Sequence, residues 1–184
     1  MKRNLTLHLI TVVLCTLCIM LLSAAQTSFL PSYLDDKYLV ADLLLGVVCA
    51  LGVLGGNDKG AYGALFGIFA GLCADALGGF GICLLPVFYM LCGYLGHVAN
   101  DIVPQRKFTV YLAVSAAMTL VRALVALIYV MLHTGHIPLL DVIRYVCLPL
   151  VPGTLLTLPL CYAIALGLTL PLRYVKTNSI DKIM

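Results

Sequence analysis

Three ionisable side chains stand in parts of the chain that otherwise carry no charge. Asp42 precedes the uncharged run 43–57, Asp75 separates 60–74 from 76–100, and Arg122 separates 108–121 from 123–140. In apolar surroundings a carboxylate or a guanidinium is costly unless paired and hydrogen-bonded, so such residues mark an ion pair, a proton site or a polar binding position. For catalysis they would need an activated nucleophile or an acid/base partner facing a substrate. Neither Asp75 nor Arg122 has a neighbouring base in the sequence, and no catalytic group is expected.

The other reactive side chains read as structural. Cys15, Cys18, Cys49, Cys73, Cys83, Cys92, Cys147 and Cys161 all fall within apolar segments, which suits small packing residues and not a disulfide framework. Cys15 and Cys18 have C-x-x-C spacing, but a zinc or redox site needs further ligands or a polar setting. His133 and His136 have only Asp141 nearby and fall short of a metal's ligand count. His97 reads as an interfacial polar residue. No metal and no cofactor are expected.

The elements that must position these residues follow from composition. The chain has 184 residues, 62% hydrophobic and 10% charged, with no Glu. An ordinary soluble domain is about 45–50% apolar and about 25% charged. A hydrated exterior cannot be built from this composition, and a net charge of +3 does not make a nucleic-acid surface. The chain reads as a membrane protein without a nucleic-acid partner.

A bilayer-spanning helix needs about 20 mostly apolar residues. The spacing of charges predicts six: Leu5–Ala25, Leu39–Gly56, Gly60–Gly78, Phe80–Asn100, Phe108–Leu132 and Tyr145–Leu172. The expected fold is an all-α polytopic membrane protein, residues 1–184 forming a single six-helix transmembrane domain. Lys and Arg in short loops stay cytoplasmic. With the N-terminus inside, Lys2, Arg3, Lys59, Arg106, Lys107, Arg173, Lys176 and Lys182 lie in the cytoplasm, and only Lys37 and Arg144 lie outside. Both termini are then cytoplasmic. Ser23, Ala24 and Ala25 after the first apolar run imitate a signal-peptide cleavage site, but that run exceeds the 7–15 residues typical of a signal core. The first helix is expected to stay uncleaved.

Counted at 1.5 Å per residue from the cytoplasmic helix ends, Asp42, Asp75 and Arg122 each lie roughly 21–22 Å up. They share one layer in the outer half of the bilayer. The expectation is an intramembrane polar cluster in which Arg122 pairs with Asp75, Asp42 or both.

Glycine supplies the second pattern. Gly63, Gly67 and Gly71 recur every fourth residue and Asp75 continues the series, so one face of the third helix admits a close backbone neighbour. That face, with Gly93 and Gly96 of the fourth helix, is a helix-packing face or a partner-binding one.

Together these segments resemble the MreD family, the small polytopic proteins of bacterial rod-shape determination. The resemblance is carried by ADLLLGVVCALG from Ala41, by GAYGALFGIFAGLCADALGGFG from Gly60 and by PVFYMLCGYLG from Pro86. The acidic Asp42, the glycines Gly60, Gly63, Gly67 and Gly71, the Gly-Leu-x-x-Asp element ending at Asp75, the turn to Gly81 and Gly93 to Gly96 occur in the family's order. About a third of the chain is covered. Ala41 departs from the family's Pro before the acidic residue.

The resemblance implies a non-enzymatic scaffold of the cell-wall elongation machinery in the inner (cytoplasmic) membrane. It would bind an MreC-like bitopic partner and, through it, MreB filaments and peptidoglycan synthases. The alternative is the six-helix substrate-binding subunit of an energy-coupling-factor vitamin transporter, whose fold MreD-like proteins resemble. Such a subunit needs an aromatic-lined pocket, and this chain has no Trp.

Overall fold

A computed structural model describes residues 2–26, 42–55, 60–78, 84–134, 140, 143–144 and 148–180. Among them no strand occurs, and the architecture is all-helical. The helices are α1 (Lys2–Ala24), α2 (Leu43–Leu54), α3 (Gly60–Gly78), α4 (Leu84–Ile102), α5 (Lys107–Thr134) and α6 (Leu148–Ile180), with a 3₁₀ turn, Pro104–Arg106, before α5.

Helix α3 has the expected bounds, whereas α2 starts later than expected from hydropathy. Its first residue is Leu43, and Asp42 is the N-cap, its carboxylate accepting from the Leu45 N–H. A carboxylate that satisfies a free first-turn amide stabilises the helix from the cap position, typically by about 0.5–2 kcal/mol. Helix α6 runs eight residues past the expected Leu172, to Ile180. Pro149 falls in its first turn, where no amide is required.

The directions of the helices follow from their close approaches. Gly63, Gly67 and Gly71 meet Gly93, Tyr89 and Pro86 in turn, so α3 and α4 are antiparallel. Asp42 meets Tyr89 and Cys49 meets Gly96, so α2 and α4 run the same way. In α6, Thr154 and Cys161 meet Asp42 and Gly46, which makes α6 parallel to α2. Consequently α1 and α3 end, and α2, α4 and α6 begin, at one end of the bundle.

Helix α2 is the centre of the packing. Every residue from Leu44 to Leu54 is buried, and α2 packs on α1, α3, α4, α5 and α6. A helix enclosed on all sides is hydrophobic all round, as the sequence LLLGVVCALGVL is. The outer helices instead expose large apolar side chains, among them Leu21 at 71%, Leu156 at 76% and Leu160 at 60%. Two helical segments, Pro104–Ile128 and Leu150–Thr169, are long and apolar enough to cross a membrane. Leu9–Ala24, Leu43–Leu54 and Tyr62–Leu77 are apolar but shorter.

Candidate functional site

Asp42 is the hub of the buried polar groups. It is 1% exposed, yet groups of α2, α4, α5 and α6, and Gln26 just beyond α1, reach it or its first amides. The Arg122 Nε of α5 lies 2.6 Å from Oδ2. The Tyr89 hydroxyl of α4 donates across both oxygens, at 2.8 Å and 2.9 Å. Leu45 N donates to Oδ1 at 3.0 Å. The Asp42 amide donates to Thr154 Oγ1 of α6 at 3.1 Å. Gln26, just beyond α1, donates weakly to Oδ1 at 3.5 Å and accepts from Leu44 N at 3.3 Å.

Each contact has a local cause. Thr154 donates its own proton to Leu150 O at 2.7 Å, which leaves its oxygen lone pairs for the Asp42 amide. Tyr89 is fully buried, and a buried phenol needs a partner for its hydroxyl. The carboxylate supplies it. Arg122 packs its guanidinium over the rings of Phe88 and Tyr89, 5.7 Å and 5.5 Å from their centroids. Cation–π attraction of this kind adds to the ion pair. A buried carboxylate with a cation and several hydrogen bonds is satisfied, and removing one partner would leave an uncompensated charge.

Of the residues expected to share a layer, Asp42 and Arg122 meet directly. Asp75 does not form a direct ion pair with Arg122. It lies near enough for the two charges to interact, and its buried Oδ1 has no hydrogen-bond partner. The partners that complete the hub, Tyr89, Thr154 and Gln26, were not expected. Tyr89 lies in an apolar run and reads as a core aromatic. Only the need of a buried carboxylate for donors could have pointed to it.

The glycines serve internal packing. A Cβ at Gly67 would collide with the Tyr89 carbonyl, at Gly71 with Pro86, and at Gly93 with the Gly63 carbonyl; at Gly96 it would stand 2.8 Å from Cys49 O. Gly52 of α2, not singled out by its spacing, completes the contact: a Cβ on Gly63 would stand 2.7 Å from Gly52 Cα. Three backbones thus meet at Gly52, Gly63 and Gly93. These positions are enclosed between helices and present no outward face to a partner.

Cys15, Cys18, Cys49, Cys73, Cys92 and Cys161 are free thiols, and no group of three or more potential ligands occurs among the described residues. Cys83, Cys147, His136 and Asp141 lie outside the described residues, as does the side chain of His133. His97 contacts Asp101 at 3.4 Å, one turn away at the opposite end of α4 from Tyr89. No protein-family model, no curated protein and no solved structure matches the chain.

Proposed function

We propose that the chain is a six-span membrane protein of the MreD kind, a non-enzymatic scaffold of bacterial cell-wall elongation that binds an MreC-like bitopic partner in the cytoplasmic membrane. One observation carries this reading. The segment that resembles the family, Asp42 to Val98, contributes the capped helix α2 and the glycine-packed pair α3 and α4, and its motif residues Asp42, Gly63, Gly67, Gly71, Gly93 and Gly96 are all at enclosed contacts. Their order in the sequence therefore corresponds to a physical requirement. Glycine is needed where backbones touch, and the acid is needed where the start of α2 meets α4, α5 and α6.

The membrane placement is supported by the two long apolar segments and by the exposed leucines of the outer helices. In a bilayer, ionisable side chains turn inward and pair, and the Asp42–Arg122 contact has this form. Partner recognition would then use outer helix surfaces and short loops. Those surfaces include α1, whose Leu14, Leu17 and Leu21 are exposed.

The test is co-purification. The tagged full chain, extracted in mild detergent from cells that express an MreC-like protein, is expected to bring that protein with it, and its depletion is expected to round rod-shaped cells. Absence of the partner together with normal shape on depletion would overturn the reading. Saturable binding of a vitamin instead would favour the transporter subunit.

A further inference from the structure

Two helices outrun the other four. Gly63 meets Gly52 and Gly96 meets Cys49, so the start of α3 and the end of α4 lie level with the end of α2 at Leu54. Helix α5 begins close by, after the turn Pro104–Arg106. At the other end of α2, the Asp42 amide meets Thr154 and its carboxylate meets Gln26. Counted from that level at 1.5 Å per residue, α1 and α6 continue roughly 18–21 Å past the end of α2. A second contact agrees. The ring of Phe108, at the start of α5, lies 5.1 Å from that of Tyr162, and α6 runs on roughly 27 Å from there to Ile180. Helices α1 and α6 pack on each other. Thr11 and Thr169, equally far from Gln26 and Thr154, are both buried, so the pair stays enclosed as α2 ends.

The residues on this projection point to its surroundings. Leu9 and Ile10 of α1 are 66% and 45% exposed, past the level where α2, α3 and α4 stop. Farther out stand Lys2 and Arg3 on α1 and Arg173 and Lys176 on α6, and neither helix contains an acidic residue. Asp181 and Lys182, which follow α6, cancel each other in charge. In a membrane, α3 and α4, of 19 residues each and so roughly 28 Å long, fill the hydrocarbon layer. The projection then enters the headgroup layer on the cytoplasmic side. An acidic protein segment would satisfy the cations but leave Leu9 and Ile10 in water. A phospholipid of negative headgroup meets both, with acyl chain against the apolar side chains and phosphate among the cations.

We propose that the projecting parts of α1 and α6 form a binding surface for anionic phospholipid of the cytoplasmic leaflet, gathering it on one side of the bundle. The surface rests on the membrane placement but not on the partner, so its failure leaves the co-purification test untouched.

Native mass spectrometry of the delipidated full chain, titrated with phosphatidylglycerol and phosphatidylcholine, tests the surface. Wild type is expected to retain phosphatidylglycerol about tenfold better, somewhat more than one cation near an anionic lipid supplies, and to lose most of that ratio as ionic strength rises. Lys176→Gln is expected to lower the ratio severalfold, and replacement of Lys2, Arg3, Arg173 and Lys176 together by Gln to abolish it. Arg106→Gln, in the turn level with the end of α2, is expected to leave it unchanged. Equal retention of the two lipids by wild type, a ratio that survives the combined substitution, or an equal loss in Arg106→Gln and Lys176→Gln would overturn the proposal. Displacement of the lipid by an equal concentration of glycerol phosphate or of polyglutamate would overturn its lipid part, the latter in favour of an acidic protein segment.

Discussion

The Tyr89 hydroxyl bridges both carboxylate oxygens of Asp42, at 2.8 Å and 2.9 Å, from the helix that also carries the glycine contacts to α3. Tyr89 thus links the polar hub to the glycine packing. Its backbone carbonyl lies where a side chain at Gly67 would have to go, while its hydroxyl holds the cap of α2. Displacing α4 by even a methyl group's width at Gly67 would pull the phenol from the carboxylate.

Tyr89→Phe keeps the ring beside Arg122 and Phe88 but removes the proton shared by the two oxygens. A hydrogen bond to a charged group is worth about 1.5–3 kcal/mol. A loss of that size is expected in the unfolding free energy of the purified full chain in detergent, with helix content retained. An unchanged midpoint would mean that Tyr89 contributes only packing.

Substitution at the glycines is expected to separate enclosed from open positions. Gly63→Ala and Gly93→Ala force backbones apart and are expected to cost about 1–3 kcal/mol, and Gly67→Leu more. Gly167 in α6 has nothing within 4 Å of an added Cβ. Gly167→Ala is expected to be neutral, or to stabilise by about 0.5–1 kcal/mol through helix propensity. Thermal unfolding of the four variants side by side checks the contrast.

Thr154→Val removes the oxygen that accepts from the Asp42 amide while keeping the side chain's shape. An amide left without an acceptor at a fully buried position costs about 1–3 kcal/mol. Thr154→Ser keeps the oxygen and is expected to recover most of that loss. Equal behaviour of the two variants would show that the amide does not depend on Thr154.

The six-span arrangement predicts that both termini and Lys59 share one side of the membrane, with Lys37 and Arg144 on the other. Single-cysteine variants at these positions, made in a background lacking the native cysteines and labelled from outside intact spheroplasts with a membrane-impermeant maleimide, should react only at 37 and 144. Labelling at 59 would contradict that topology.

The charge pattern made Asp42 and Arg122 legible because a lone ionisable residue in an uncharged run must find a partner, and helix length puts both at the same height. The same reasoning placed Asp75 with them but could not choose between two acids. That choice depends on side-chain direction, and Asp42 is favoured because it projects from a helix start enclosed by α4, α5 and α6. The glycine series identified the close face of α3, since a four-residue repeat holds one side of a helix. It did not reveal Gly52, whose neighbours Val48 and Leu51 read as ordinary core. Thr154 was equally hidden, as a threonine in an apolar helix bonds its own preceding turn unless something else approaches. The extension of α6 to Ile180 escaped hydropathy because residues 173–180 are polar yet contain no helix breaker.

The Asp42–Arg122 pair joins α2 to α5 at the centre of the buried polar groups, and a double-mutant cycle tests it most directly. Asp42→Asn leaves the guanidinium without its counter-charge and Arg122→Met leaves a carboxylate that is 1% exposed. Each is expected to cost about 3–5 kcal/mol of unfolding free energy. If the residues act as a buried pair, the double variant should be less destabilised than the sum by about 2 kcal/mol or more. Additive losses, or an Arg122→Met variant as stable as wild type, would contradict it.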